Sequence, residues 1–230
     1  MADFFRESVY FGAFLSVGTY FLGAWMKKKW KLAIFNPLLT AIVLTIVFLA
    51  AARIPYDTYM EGGRYIQYFL TPCTVCLAVP LYEKFRLLKE NALAIGLGIL
   101  SGTLASLASI LLLCLLLRLD HAMYVTLLPK SITTAIAMGA SEELGGYPSL
   151  TVAAVIITGI TGNIFASGAC RVFRITDPIA KGIAIGTSTH AIGTVRAMEL
   201  GETEGAMSSL SIVVAGLFTV AGAAVFSHFL

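Results

Sequence analysis

Charge is what this sequence has least of: Asp, Glu, Lys and Arg make up 13% of its 230 residues, where an ordinary soluble domain carries about 25%. With 58% hydrophobic residues and a mean hydropathy of +0.86, a soluble globule is excluded. No run alternates apolar and polar residues, which excludes a β-barrel. The four cysteines, Cys73, Cys76, Cys114 and Cys170, fall in or beside apolar segments, so a secreted disulfide framework is excluded too. Cys73 and Cys76 match C-x-x-C, but they follow Pro72 inside an apolar run without the βαβ context of a redox motif. Small residues at a helix break are the better reading there. The three histidines have no ligand-spaced partners, so no metal or other cofactor is expected. The net charge of +3 sits mostly at helix ends and implies no nucleic-acid partner.

What remains is an all-α, polytopic integral membrane protein of seven or eight transmembrane segments, some of them interrupted. The run 9–25 is no signal peptide: Asp3, Arg6 and Glu7 precede it, and Lys27, Lys28, Lys29 and Lys31 follow it in place of a cleavage site. It and a second span over 32–52, opened by Asn36-Pro37 and closed by Arg53-Ile54-Pro55, read as plain crossings. Pro72 and Pro80 predict a kink or break in the segment 65–82. The long run 92–117 carries Gly98-x-x-x-Gly102, a site for close backbone approach. A good span covers 149–170, Glu202 and Glu204 occupy a short loop, and 206–230 is the last span. The single membrane domain divides into N-terminal spans (1–64) and three interrupted-helix units (65–122, 123–175 and 176–230).

Two polar interruptions stand out. The first, Pro129-Lys-Ser-Ile-Thr-Thr134, begins a glycine-marked stretch that runs to Gly146; the second is Thr187-Ser-Thr-His190 within 178–200. Ionisable groups at membrane depth are expensive and face a cavity or a partner, and broken helices there line cavities. The two are related by weak self-similarity. At an offset of 60, Thr134, Ala137, Met138, Glu142, Gly145, Ser149, Leu150 and Gly162 match Thr194, Ala197, Met198, Glu202, Gly205, Ser209, Leu210 and Gly222. Paired interruptions in internal repeats are the best sequence pointer to a transporter's binding site.

A helix N-terminus with hydroxyls and one cation attracts an anion. The candidate substrate-binding residues are therefore Lys130, Ser131, Thr133, Thr134, Thr187, Ser188, Thr189, His190 and Thr194, with a small carboxylate as guest. Glu142, His190 and Asn163 are the candidates for carrying a coupled proton or ion. The plainer readings are a snorkelling Lys130, hydroxyls bonded to their own helix, a solvated helix end at Glu142 and Glu143, and interfacial positions for His121 and His228. No nucleophile-elbow pattern frames Ser131 or Ser188, so no enzyme is expected. The lysines after the first span and Lys84, Arg86 and Lys89 place both loops in the cytoplasm and the N-terminus outside. Arg171, Arg174 and Lys181 fall inside only if Pro129–Glu143 re-enters, and outside if it crosses.

PKSITTAIA at Pro129, GGYPSLTVAAVIITGITG at Gly145 and GIAIGTSTHAIGTVRAMELGETEGAMSSL at Gly182, with NPLL at Asn36 and IPYDTYMEGG at Ile54, strongly resemble the LrgB/CidB family of bacterial membrane proteins. The likeness covers nearly the whole chain and singles out Pro129, Lys130, Ser131, Thr133, Thr134, Gly145, Gly146, His190, Gly193 and Thr194. Cys73 and Cys76 depart from the small residues expected there. The resemblance implies a multi-pass protein of the bacterial cytoplasmic membrane, with lipids around it and a homo-oligomer among its assemblies. It implies one of two roles. One is a secondary transporter of small monocarboxylates such as pyruvate or glycolate, H+ or Na+ coupled. The other is a holin- or antiholin-like regulator of murein hydrolase activity and lysis, acting with a small LrgA/CidA-type partner.

Overall fold

The computed structural model describes residues 8–30, 36–76 and 78–230. Asp3, Arg6, Glu7 and Lys31, and the opening of the second span at 32–35, lie outside them. The chain folds as two units, 1–76 and 77–230. In the first, α1 (Phe11–Trp30), α2 (Pro37–Ala52), α3 (Tyr56–Gln67) and α4 (Leu70–Cys76) follow one another. Asn36 Oδ1 accepts from the Leu38 and Leu39 amides to start α2, and Arg53, at φ 52°, ends it. Gly12 and Gly62 let α1 and α3 meet backbone to backbone, and Ser16 and Tyr59 share a hydrogen bond of 2.7 Å beside them.

The second unit contains α5 (Ala78–Glu83), α6 (Phe85–Glu90), α7 (Ala92–Leu117), α8 (His121–Leu127), α9 (Thr134–Glu143), α10 (Pro148–Val172), α11 (Pro178–Leu200) and α12 (Glu202–Phe226), then a 3-10 turn over Ser227–Phe229. Helix α3 stops at Gln67, so the proline-marked segment 65–82 is broken as Pro72 and Pro80 predict. Glu202 and Glu204 are not in a loop: they form the first turn of α12, where carboxylates complement the helix dipole, and Gly201 alone separates α11 from α12.

Among the described residues, three helices are long and apolar enough to cross a bilayer, at 92–117, 148–172 and 202–229, and Pro37–Ala52 is a shorter apolar one. The sequence predicts seven or eight segments. Part of the difference lies in two segments, 121–143 and 178–200, that fold back on themselves instead of running straight through the unit.

The first is α8–α9. Pro129 lacks the N–H that would continue α8, and the chain turns through 128–133. It then returns beside itself: Thr151 Oγ1, at the start of α10, donates to the Thr126 carbonyl at 3.0 Å and to Ser141 Oγ at 2.7 Å. Residues 126 and 141, one on each arm, are thus at the same depth. Gly145, at φ 82°, ends α9 in the left-handed conformation that glycine adopts without strain, and the Gly146 amide caps the Ser141 carbonyl at 2.7 Å. At 1.5 Å per residue, the 7 and 10 residues of the two arms reach about 10 and 15 Å, a third to a half of a roughly 30 Å hydrocarbon layer.

The second is α11, broken at His190 (φ 44°, ψ −143°). Gly182 packs on Glu204 and Met207, and Gly186 on Ser208 and Ser211, so the first arm runs parallel to α12. In the second arm Met198 meets Gly205, and Thr194 Oγ1 bonds Ser208 Oγ at 2.7 Å, so that arm is antiparallel to α12. A straight helix cannot do both. The hairpin tip lies against the middle of α10, where Val155, Gly159 and Gly162 meet His190, Ile192 and Thr189.

The unit is therefore hairpin, span, hairpin, span. Because α10 crosses once between them, the hairpins enter from opposite ends, which makes the repeat an inverted one. Lys84, Arg86, Lys89, Arg171, Arg174 and Lys181 gather at the end where α7 begins, and Lys84 bridges Glu202 there at 3.2 Å. The opposite end is sealed by Leu107, Ile110, Cys114, Tyr124, Val125, Leu128 and Ala223, and Tyr124 Oη donates to the Phe226 carbonyl at 2.8 Å.

Small residues set how closely the first arm of α11 lies on α12. A Cβ on Gly186 would collide with the Ser208 carbonyl oxygen and stand 2.8 Å from its Cα, backbone atoms that no side-chain trimming moves. Gly186→Ala is expected to destabilise the detergent-solubilised protein by about 1–3 kcal/mol, with no recovery in the double variant with Ser208→Gly, both read by thermal unfolding.

Candidate functional site

Between α7, the first arm of α11 and the tip of the α8–α9 hairpin lies a cavity of about 860 Å³. One wall is a small-residue face of α7: Gly98, Ser101, Gly102, Ala105, Ser106 and Ser109. Asn91 and Asp177 stand at its basic-end rim, where Asp177 Oδ1 caps the Ala180 amide at 2.8 Å. The Gly98-x-x-x-Gly102 spacing serves close packing as well, since Gly98 faces Ile183 and Gly102 faces Thr187.

The two hairpin tips reach α7 one turn apart. Ser131 and Ser106 share a hydrogen bond of 3.0 Å near the middle of α7, and Lys130 Nζ donates to Ser131 Oγ at 3.0 Å. One turn away, a Cβ on Gly102 would lie 2.9 Å from Thr187 Cγ2. Lys130 is half-buried, and among the described residues no carboxylate lies within ion-pair distance of it. The ammonium thus stands in a hydroxyl-lined space at membrane depth, bonded to a neutral oxygen. Such a group favours an anion beside it.

Of the residues expected at the site, the cavity brings together Lys130, Ser131, Thr187 and Ser188. Lys130 and Ser131 are not on a helix N-terminus, because α9 starts only at Thr134; they occupy the turn after Pro129, with the Lys130 amide bonded to the Leu127 carbonyl. Thr133 caps α9 by position without a side-chain bond, and neither it nor Thr134 lines the cavity. Ser188 Oγ donates to the Ala184 carbonyl at 2.7 Å.

Thr189, His190 and Thr194 are buried and do not line the cavity. Thr189 Oγ1 donates to the Ile185 carbonyl, Thr194 Oγ1 to the His190 carbonyl, and His190 Nε2–H to the Val155 carbonyl at 3.1 Å. Asn163 Nδ2 donates to the Ile192 carbonyl at 2.8 Å. These groups hold the broken helix against α10 and α12, the partners that non-helical backbone requires at membrane depth. Arg196 bonds Ser167 at 3.0 Å and Glu199. Glu142 and Glu143 are exposed at the end of α9, away from the cavity. Cys73 and Cys76 are exposed free thiols.

The α7 wall is what the residue reading missed. Its signal was present: Ser101, Ser106 and Ser109 recur with the glycines on a helix whose other exposed positions, such as Leu93, Leu97 and Leu104, are leucine.

Three apolar spans and two opposed hairpins beside a cavity lined by small residues, hydroxyls and one lysine define a helical membrane protein with an inverted internal repeat. The chain belongs to the LrgB-like family, whose model matches residues 16–229. It is 39% identical over 216 residues to the "Antiholin-like protein LrgB" of Bacillus subtilis (strain 168), an alignment covering 93% of each chain. No solved structure matches it.

Proposed function

We propose that the protein is a secondary transporter of small organic anions of the pyruvate or glycolate kind, acting in the bacterial cytoplasmic membrane. The observation that carries this reading is Lys130: a cation without a carboxylate partner among the described residues, set at the tip of a re-entrant hairpin in a hydroxyl-lined cavity. Ser131 and Ser106 supply neutral hydroxyls around the guest, and Thr187 and Ser188 complete the wall. The cavity runs along α7 from the end that carries Lys84, Arg86, Lys89, Arg171, Arg174 and Lys181, which the positive-inside rule makes cytoplasmic. On this reading the protein performs no covalent chemistry.

The name of the Bacillus relative favours a second reading, an antiholin-like regulator working with a small LrgA/CidA-type membrane partner. Uptake of labelled pyruvate, glycolate and lactate into proteoliposomes separates the two. Saturable uptake by the protein alone is expected. No saturable uptake of any of them, with or without the co-reconstituted partner, favours the regulator.

A further inference from the structure

We propose that the break in α11 and two unpartnered hydroxyls beside it bind a sodium ion that travels with the anion. This rests on the carrier reading above. Thr103 and Thr187 are only 3% and 6% exposed, and the Oγ1 of each is buried with no hydrogen-bond partner among the described residues. Their neighbours behave differently: Ser188, Thr189, Thr194 and Ser211 each donate to a carbonyl four residues earlier in their own helix. A buried hydroxyl without a partner is costly and uncommon. Two in one layer point to a ligand that they share.

They do lie in one layer. Gly102, the residue before Thr103, packs directly on Thr187, and Gly186, the residue before Thr187, packs on Ser208 and Ser211 of α12. Thr187 stands three residues before the break at His190, so it belongs to the C-terminal turn of the first arm. There the last carbonyls lose their helical N–H partners and the dipole presents its negative end. Hydroxyl oxygens beside freed carbonyls make a hard oxygen set, the kind that discontinuous membrane helices offer to Na+.

The chemistry selects a monovalent ion. A divalent ion calls for carboxylate ligands, and the described carboxylates of this unit lie towards the helix ends, such as Asp177, Glu199, Glu202 and Glu204. A single charge is compensated by the helix end and by the anion in the adjoining cavity, whose wall includes Thr187. Threonine hydroxyls do not take up a proton near neutrality, so H+ cannot occupy this site in place of the metal ion.

The test uses the purified full-length protein, followed by thermal unfolding in NaCl, KCl and choline chloride at equal ionic strength, with and without pyruvate. Na+ is expected to raise the unfolding temperature selectively, and more so with pyruvate present, as reciprocal coupling requires. Thr187→Val and Thr103→Val keep the shape and remove the hydroxyl. Each is expected to raise the half-saturating Na+ concentration at least about tenfold, the lower end of the cost of losing even an outer-shell metal partner. In choline, each is expected to unfold no lower than wild type, because an unmet buried hydroxyl has been replaced by a methyl group. No Na+-selective shift in the wild type, or an undiminished shift in both valine variants, overturns the site. Saturable uptake that is unchanged in choline overturns the coupling and leaves the carrier reading standing. A Na+ shift without any anion uptake overturns the carrier reading and, with it, the coupling.

Discussion

Replacing Lys130 with glutamine is expected to lower kcat/KM for anion uptake in proteoliposomes by roughly 30-fold to several thousand-fold. That range corresponds to the about 2–5 kcal/mol lost when one partner of a buried, hydrogen-bonded charge pair is truncated. The size follows from the environment: the ammonium is half-buried at membrane depth, its bond within the protein is to the neutral Ser131 oxygen, and no described carboxylate shares it. The anion would be its only full counter-charge. Stability should move the other way or not at all, since removing an uncompensated buried charge relieves a desolvation cost. Lys130→Arg keeps the charge but spreads it over a planar fork, so it should retain part of the uptake. A glutamine variant that carries the anion as well as wild type would sink the assignment of Lys130. Loss of uptake together with loss of folding would mean that Lys130 acts through structure instead.

His190→Ala and His190→Gly should differ in stability, with glycine the better tolerated by up to about 2 kcal/mol. His190 adopts φ 44° and ψ −143°, a region where a side chain costs about 1–3 kcal/mol. What holds it there is the imidazole bond to the Val155 carbonyl at 3.1 Å, with Thr194 on its own carbonyl and Asn163 on that of Ile192. Alanine gives up the imidazole bond and keeps the strain. Glycine gives up the same bond and releases most of the strain, less about 0.5–1 kcal/mol of its own entropic cost. Thermal unfolding of the two variants beside wild type reads the order, and an alanine variant more stable than the glycine variant would show that the backbone at 190 is not strained. His190, a candidate proton carrier from its sequence setting, also bonds the Val155 carbonyl at the break of the helix.

The sequence alone determined the membrane class, the two interruptions and most helix ends. Low charge, long apolar runs, Asn36-Pro37, Pro148 and Asp177-Pro178 act locally, through transfer energies and through amides that are capped or missing, and α7 begins and ends where its apolar run does. It also carried the repeat of interrupted helix followed by span. What it left open is whether a stretch such as 121–143 crosses or turns back, because 23 oily and polar residues are long enough for one crossing or for two half-crossings. Only tertiary contacts decide between them: Thr126 and Ser141 sharing Thr151, and the two arms of α11 running in opposite senses along α12. The division of the polar residues was equally out of reach. In a hairpin tip, neighbours such as Thr187 and His190 point to different surroundings, one to the cavity and one to α10, and that choice depends on which helix lies on each side.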